Sequence, residues 1–133
     1  MRVWYLSDDE DLLIEAKDKI NSAEYLLNGS FYKGAVSRAY YAMYYAARAL
    51  LSMRAIYPRT HIGVISKFGL EYVKEGFIDD IYGKSIRDAK DIREDADYGL
   101  GIIITEEEAK EIVEDAKHFL EKIKKAITEI KTK

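Results

Sequence analysis

Cysteine is absent from this chain of 133 residues. That excludes a disulfide framework, a thiolate zinc site and a cysteine nucleophile. One proline and eight glycines leave little punctuation for a many-turned β-fold. There are only two histidines. There is also no glycine-rich phosphate loop, no HExxH and no His-rich spacing, so neither a metal nor a cofactor is indicated. A nucleophilic triad has no obvious members. No apolar run reaches the ~18 residues that a membrane span needs, and the stretch MRVWYLSDDE does not read as a secretion signal. The expectation is a cytoplasmic protein without a membrane partner. With 48% hydrophobic and 34% charged residues, the chain is neither disordered nor fibrous. Its length predicts one domain over residues 1–133, large enough to bury roughly two-thirds of its unfolded surface.

Acid is also missing locally. The net charge of −3 hides a segment, residues 31–70, that has six bases (Lys33, Arg38, Arg48, Arg54, Arg59 and Lys67) and no acid. The segments before and after it, 1–30 and 71–104, each carry a net −4, and residues 105–133 a net −1. A basic tract inside an acidic protein suits contact with phosphate. It equally suits pairing with the acidic segments of its own fold or of a second copy.

What is present is helical periodicity. Ser7 with Glu10 reads as a capping box, followed by Leu12, Leu13, Ala16, Ile20, Ala23 and Leu27 at helical spacing and a stop at Gly29. A first helix is predicted over about 8–28. A second runs from near Ser30 to about Ala55, ended by Tyr57-Pro58. Its segment AVSRAYYAMYYAARALL is apolar or aromatic on almost every face, which marks a central helix, and its alanines allow close approach. Thr60 caps a shorter helix with Ile65, Phe68, Tyr72 and Val73 inward, ended by Gly76. A fourth starts at Asp79 or Asp80 and runs towards Tyr98, with Tyr82, Ile86, Ala89, Ile92 and Ala96 inward. Ile102-Ile103-Ile104 reads as a buried extended connector. Thr105 with Glu108 is a second capping box, and the last helix turns Ala109, Ile112, Val113, Ala116, Phe119, Leu120, Ile123, Ala126, Ile127 and Ile130 inward. Short turns between these helices predict an all-α fold: an antiparallel up-and-down four-helix bundle with an additional short helix.

Two constellations carry chemistry. On the second helix, Arg38, Tyr41, Tyr45, Arg48 and Ser52 share one face, with Tyr40 and Tyr44 on an adjacent one. Arginine beside tyrosine suits phosphate contact with base stacking, and it suits a homodimer interface equally well. On the fourth helix, Arg93 points near the apolar face, so it needs a partner or a water-filled cleft. Asp97, one turn on, can pair with it, or can hold it ready to grip a phosphate beside Tyr98. The surrounding Asp88, Asp91, Glu94 and Asp95 read as a solvated face. His118 lies off the apolar stripe and reads as solvated. His61, next to the Thr60 cap, either bonds locally or touches a ligand.

Three stretches together resemble the HEPN family of small helical-bundle proteins of archaea and bacteria: Ser37–Ala47 (SRAYYAMYYAA), Thr60–Ile65 (THIGVI) and Arg93–Tyr98 (REDADY). The resemblance spans nearly the whole chain and is closest to the small single-domain branch. It implies a bundle that often dimerises and works with a minimal nucleotidyltransferase in toxin–antitoxin-like pairs. It also implies, for many members, metal-independent RNA cleavage by an arginine followed after four to six residues by a histidine. Arg93 matches the arginine. Tyr98, Gly99 and Leu100 stand where the histidine is permitted, and Leu100 stands where some members carry a tyrosine that the transferase adenylylates. Histidine titrates near neutrality and tyrosine near pH 10, so the substitution weakens acid–base chemistry. The expectation is therefore an accessory or toxin-like component that binds nucleotide or RNA phosphate through Arg38, Tyr41, Tyr45, Arg48, His61 and Arg93. The alternative is a weak ribonuclease using Arg93, Asp97 and Tyr98, or a more distant His61. A purely structural dimeric interaction bundle is the third reading.

Overall fold

The computed structural model describes residues 7–133. Residues 1–6, part of the stretch read as no secretion signal, lie outside the described residues. The described residues form α-helices and no strand: α1 Asp8–Asn28, α2 Tyr32–Ser52, α3 His61–Phe68, a π-helical turn Gly69–Val73, α4 Asp80–Tyr98 and α5 Glu106–Lys131. The all-α expectation is met. Among these helices none is long and apolar enough to cross a membrane.

The ends of the helices show where backbone chemistry overrode the simpler reading. Thr105 and Glu108 form the reciprocal capping box as expected, and the Thr60 side chain accepts from the Gly63 N–H at 2.9 Å. Ser7 does not cap α1 through its side chain: it adopts the extended cap conformation but makes no side-chain cap bond. Four acids in the first turn already favour that helix end. α1 stops at Gly29 as expected, although Gly29 itself is not in the left-handed conformation. Ser30 takes that conformation, at φ 65°, with the Phe31 N–H on the Leu26 carbonyl at 2.8 Å and the Ser30 N–H on Leu27 at 3.0 Å. The same device stops α2 before Tyr57-Pro58 is reached. Ala55 sits at φ 58°, and the Ile56 N–H returns to the Leu51 carbonyl at 3.1 Å.

α2 is the central element and packs against α1, α3, α4 and α5. Ala35, Ala39, Ala42, Ala46, Ala47 and Ala49 are fully buried along it, so neighbouring helices approach closely where a larger side chain would overpack. Phe119 of α5 meets Phe68 at a ring separation of 5.4 Å and Tyr82 at 6.2 Å. The Tyr72 hydroxyl donates to the Leu50 carbonyl at 2.8 Å, and this bond ties the π-helical turn to α2. The expected inward positions of α4 and α5 are buried or half-buried, as are those of α3 and the π-helical turn, where Val64 joins them.

The Ile102–Ile104 connector is not buried as a whole. Ile104 is, but Ile102 is partly open and Ile103 is 82% exposed. The turn through Leu100 and Gly101 stands away from the core, so the chain reaches it only at the residue before the Thr105 cap. Gly99 is needed at the start of that turn: a Cβ there would lie 2.7 Å from the Asp95 carbonyl oxygen and 2.5 Å from Ile102.

Two outcomes follow. Gly99→Ala forces the end of α4 to shift and is expected to lower stability by about 1–3 kcal/mol in denaturant unfolding. Asp9 is buried and pairs with Lys131 at 2.8 Å, joining the first turn of α1 to the last turn of α5. Burial raises its carboxyl, but Lys131 and Ser7 outweigh that and hold it below the ordinary carboxylate value. A lowered folded-state value stabilises the fold above the unfolded value near 4, and the gain is lost as pH falls through the folded value. Lys131→Ala is expected to cost about 1 kcal/mol at neutral pH, discounted for the exposed lysine. The gap from the unsubstituted protein should narrow in thermal melts only as pH falls below the ordinary carboxylate value and through the lowered folded-state value of Asp9, where the carboxyl becomes neutral.

Candidate arginine–tyrosine–histidine site

α2 carries four tyrosines in two i, i+4 pairs beside its buried alanines. Tyr40 is fully buried, while Tyr41, Tyr44 and Tyr45 are half-buried. The short connector from Ala55 to Thr60 brings the first residue of α3, His61, back over them. The Tyr40 hydroxyl and His61 Nδ1 lie 2.7 Å apart. The His61 ring stacks on Tyr44 at 4.3 Å with an 11° tilt, and meets Tyr41 edge-on at 5.6 Å.

α4 adds the guanidinium. Arg93 lies over the rings of Tyr40 and Tyr41, at 5.2 and 5.4 Å, within the range of cation–π attraction. One of its terminal nitrogens donates to Asp97 at 3.2 Å and to the Tyr41 hydroxyl at a long 3.4 Å. Its side chain is only 12% exposed. Its Nε is buried and meets no acceptor among the described residues. The expected pairing of Arg93 with Asp97 is present, and one donor of the guanidinium remains without an acceptor among the described residues.

Further cations rim the cluster. Arg48 lies over Tyr44 and Tyr45 at 5.6 and 5.7 Å, and Lys19 of α1 lies 5.9 Å from the Tyr45 ring. Lys90 pairs with Glu94. Burial first, then Arg93, Lys90 and Arg48, hold the His61 imidazole below its ordinary value. Burial pushes the Tyr40 hydroxyl far above the usual tyrosine value despite the opposing charge of Arg93. At neutral pH the site therefore presents a neutral imidazole and a protonated phenol beside a fixed guanidinium.

The residues singled out in the sequence divide into two groups. Arg93, Asp97, Tyr41, Tyr45, Arg48 and His61 are joined by the contacts above. Arg38 is exposed and lies apart, lining an open cleft of about 420 Å³ with Asn21, Ser22, Tyr25 and Leu26. Tyr98 is 75% exposed beyond the end of the cluster. His118 is exposed, as expected of a solvated residue. Sequence reasoning missed that Tyr40 and Tyr44, the off-stripe pair, are the partners of His61. Their i, i+4 spacing, on the helix that leads into the turn before His61, was the available signal.

This arrangement can hold an anion. A guanidinium with a free buried donor, an imidazole and a row of π-faces together supply phosphate contact and base stacking. No group of three or more acidic or histidine side chains among the described residues is placed to hold a metal ion.

Comparison with known proteins agrees with this architecture. The model of the HEPN domain matches residues 10–126. "Putative toxin MJ0605" of Methanocaldococcus jannaschii is 41% identical over 126 residues, covering 94% of this chain and 93% of that protein. A "UPF0332 protein" of Thermotoga maritima is 33% identical, over 87% of this chain and 88% of its own length. Another from Archaeoglobus fulgidus is 33% identical, over 90% and 96%. Helices, the α2 tyrosine row and the matched span all lead to one assignment: the chain belongs to the HEPN family.

Proposed function

We propose that this HEPN protein is a toxin-like component that binds RNA or nucleotide through a phosphate gripped at Arg93. The observation that carries the proposal is the buried guanidinium with an unsatisfied Nε, held over two tyrosine faces. An unpaired donor on a charged buried group is costly, and a phosphate oxygen satisfies it when the guanidinium swings outward to meet the ligand. In this reading the whole chain acts as one domain, an antiparallel up-and-down four-helix bundle with α3 as the additional helix. It functions as a homodimer in the cytoplasm with a minimal nucleotidyltransferase partner. The toxin name of the Methanocaldococcus relative supports the toxin-like part.

The surface charge supports the ligand class. Of the six bases in the acid-free tract, Arg54 is taken up internally by Glu71, while Arg48 lies on the tyrosine row and Arg38 stays exposed. The tract is thus only partly consumed within the fold. A phosphate-directed surface of this kind loses affinity as salt rises.

One observation favours a second reading, metal-independent RNA cleavage: His61 stands in the same cluster as Arg93. An imidazole supplies the proton transfer that Tyr98 performs poorly.

Binding of single-stranded RNA, measured by fluorescence anisotropy, is expected to weaken about ten- to a hundredfold in Arg93→Ala, the loss of hydrogen bonds to a charged group. Arg87→Ala, exposed on the same helix, should leave it within about twofold. Equal affinity in all three proteins overturns the assignment. Incubation of end-labelled RNA in EDTA separates the readings. Cleavage lost in both Arg93→Ala and His61→Ala makes the site catalytic, and intact RNA with Arg93-dependent binding leaves the binding role.

A further inference from the structure

His61 is the one group at the site whose charge can change near neutrality, and its surroundings are one-sided. From α2 it faces Tyr40, Tyr41, Tyr44 and the charge of Arg48; from α4, the charges of Arg93 and Lys90. Of the acids of α4, Asp97 pairs with Arg93 and Glu94 with Lys90, and none appears among the charges acting on the imidazole. The first turn of α3 carries no acid, and Glu71 in the π-helical turn pairs with Arg54. The imidazole is surrounded by hydroxyls, rings and cations.

Building on the phosphate reading of Arg93, we propose that His61 takes up one proton when a phosphodiester anion occupies this face, so that the protein binds RNA more tightly as the pH falls. The hydrogen bond reverses between the two states. The neutral ring accepts the Tyr40 O–H at Nδ1. The imidazolium donates Nδ1–H to the Tyr40 oxygen, and the phenol hydrogen, like the ring Nε2–H, then turns to an oxygen of the anion. The balance is one proton taken from solvent, with no bond to carbon or phosphorus made or broken. The stacked Tyr44 ring favours the charged form once the anion offsets the neighbouring cations.

The sign follows from the free site. Arg93, Lys90 and Arg48 join burial in disfavouring the imidazolium. An anion beside the ring reverses part of that, raising the His61 midpoint in the complex. Affinity is then level at high pH and rises as pH falls from the bound midpoint to the free one. It levels off again below that.

Two measurements test this in the intact chain. The first follows the His61 ring by NMR titration in sodium sulfate, a dianion at every pH used, against sodium chloride of equal ionic strength, with the exposed His118 ring as reference. Sulfate is expected to raise the His61 midpoint by about one unit, equivalent to about tenfold in affinity. Arg93→Ala should abolish the rise. The second measures binding of a short oligouridylate with hydroxyl ends, which does not titrate in this range. Its affinity should rise about five- to tenfold from about pH 8 to about pH 5.5, and by less than about twofold in His61→Gln. An unmoved His61 midpoint, or Arg93-dependent RNA binding with the same pH profile in His61→Gln, overturns the proton link while the phosphate reading stands. A sulfate-induced rise without any RNA binding overturns the RNA reading and keeps the proton-linked anion site. Neither response overturns both.

Discussion

The burial of α2 is the constraint from which the rest of the molecule follows. Six alanines let four other helical elements close around it. A helix surrounded on so many sides has only one margin left for polar atoms. Tyrosine is the residue that suits that margin, with an apolar ring against the packed alanines and a hydroxyl at the outer edge. Four tyrosines in six positions, Tyr40 to Tyr45, are therefore first a packing solution. Their chemistry arises because two elements that must cover α2, α3 and α4, deliver a histidine and an arginine to the same rings.

That origin explains why the site is held firmly. Arg93 is fixed by Asp97, by the Tyr41 hydroxyl and by two ring faces. His61 is fixed by Tyr40 and by the Tyr44 stack. None of these contacts depends on a long loop. A site supported by helix positions is preorganised, so little ordering cost remains when an anion arrives.

The helices were legible because their signals are local. Caps, apolar stripes and alanine content placed α1, α4 and α5 close to where they lie, and the Thr60 and Thr105 caps form as read. The stop at Gly29 holds, but Ser30 beside it takes the left-handed turn, and Ala55 does so for α2 before Tyr57-Pro58 is reached, because the returning Phe31 and Ile56 amides satisfy carbonyls at the helix ends. That gain depends on where the next helix must go, which no local pattern records. Arg93 and Asp97 were visible as a pair on one helix. The partners of His61 were not, since they lie 17 and 21 positions away and meet only when α3 folds back over α2.

The same folding-back bears on the histidine missing from α4. A histidine at position 98, 99 or 100 would sit at the end of α4 or in the turn that follows it. Tyr98 and Leu100 there are largely or fully exposed, and Ile103 beyond the turn is nearly as open. An imidazole there would be solvated and free to move. At position 61 the ring is instead clamped between a buried phenol and a tyrosine face, under the field of three cations. The position that holds the imidazole most firmly is also the one whose burial and neighbouring cations disfavour its charged form. Firm placement and a lowered midpoint are thus two consequences of one arrangement, the covering of α2 by α3 and α4.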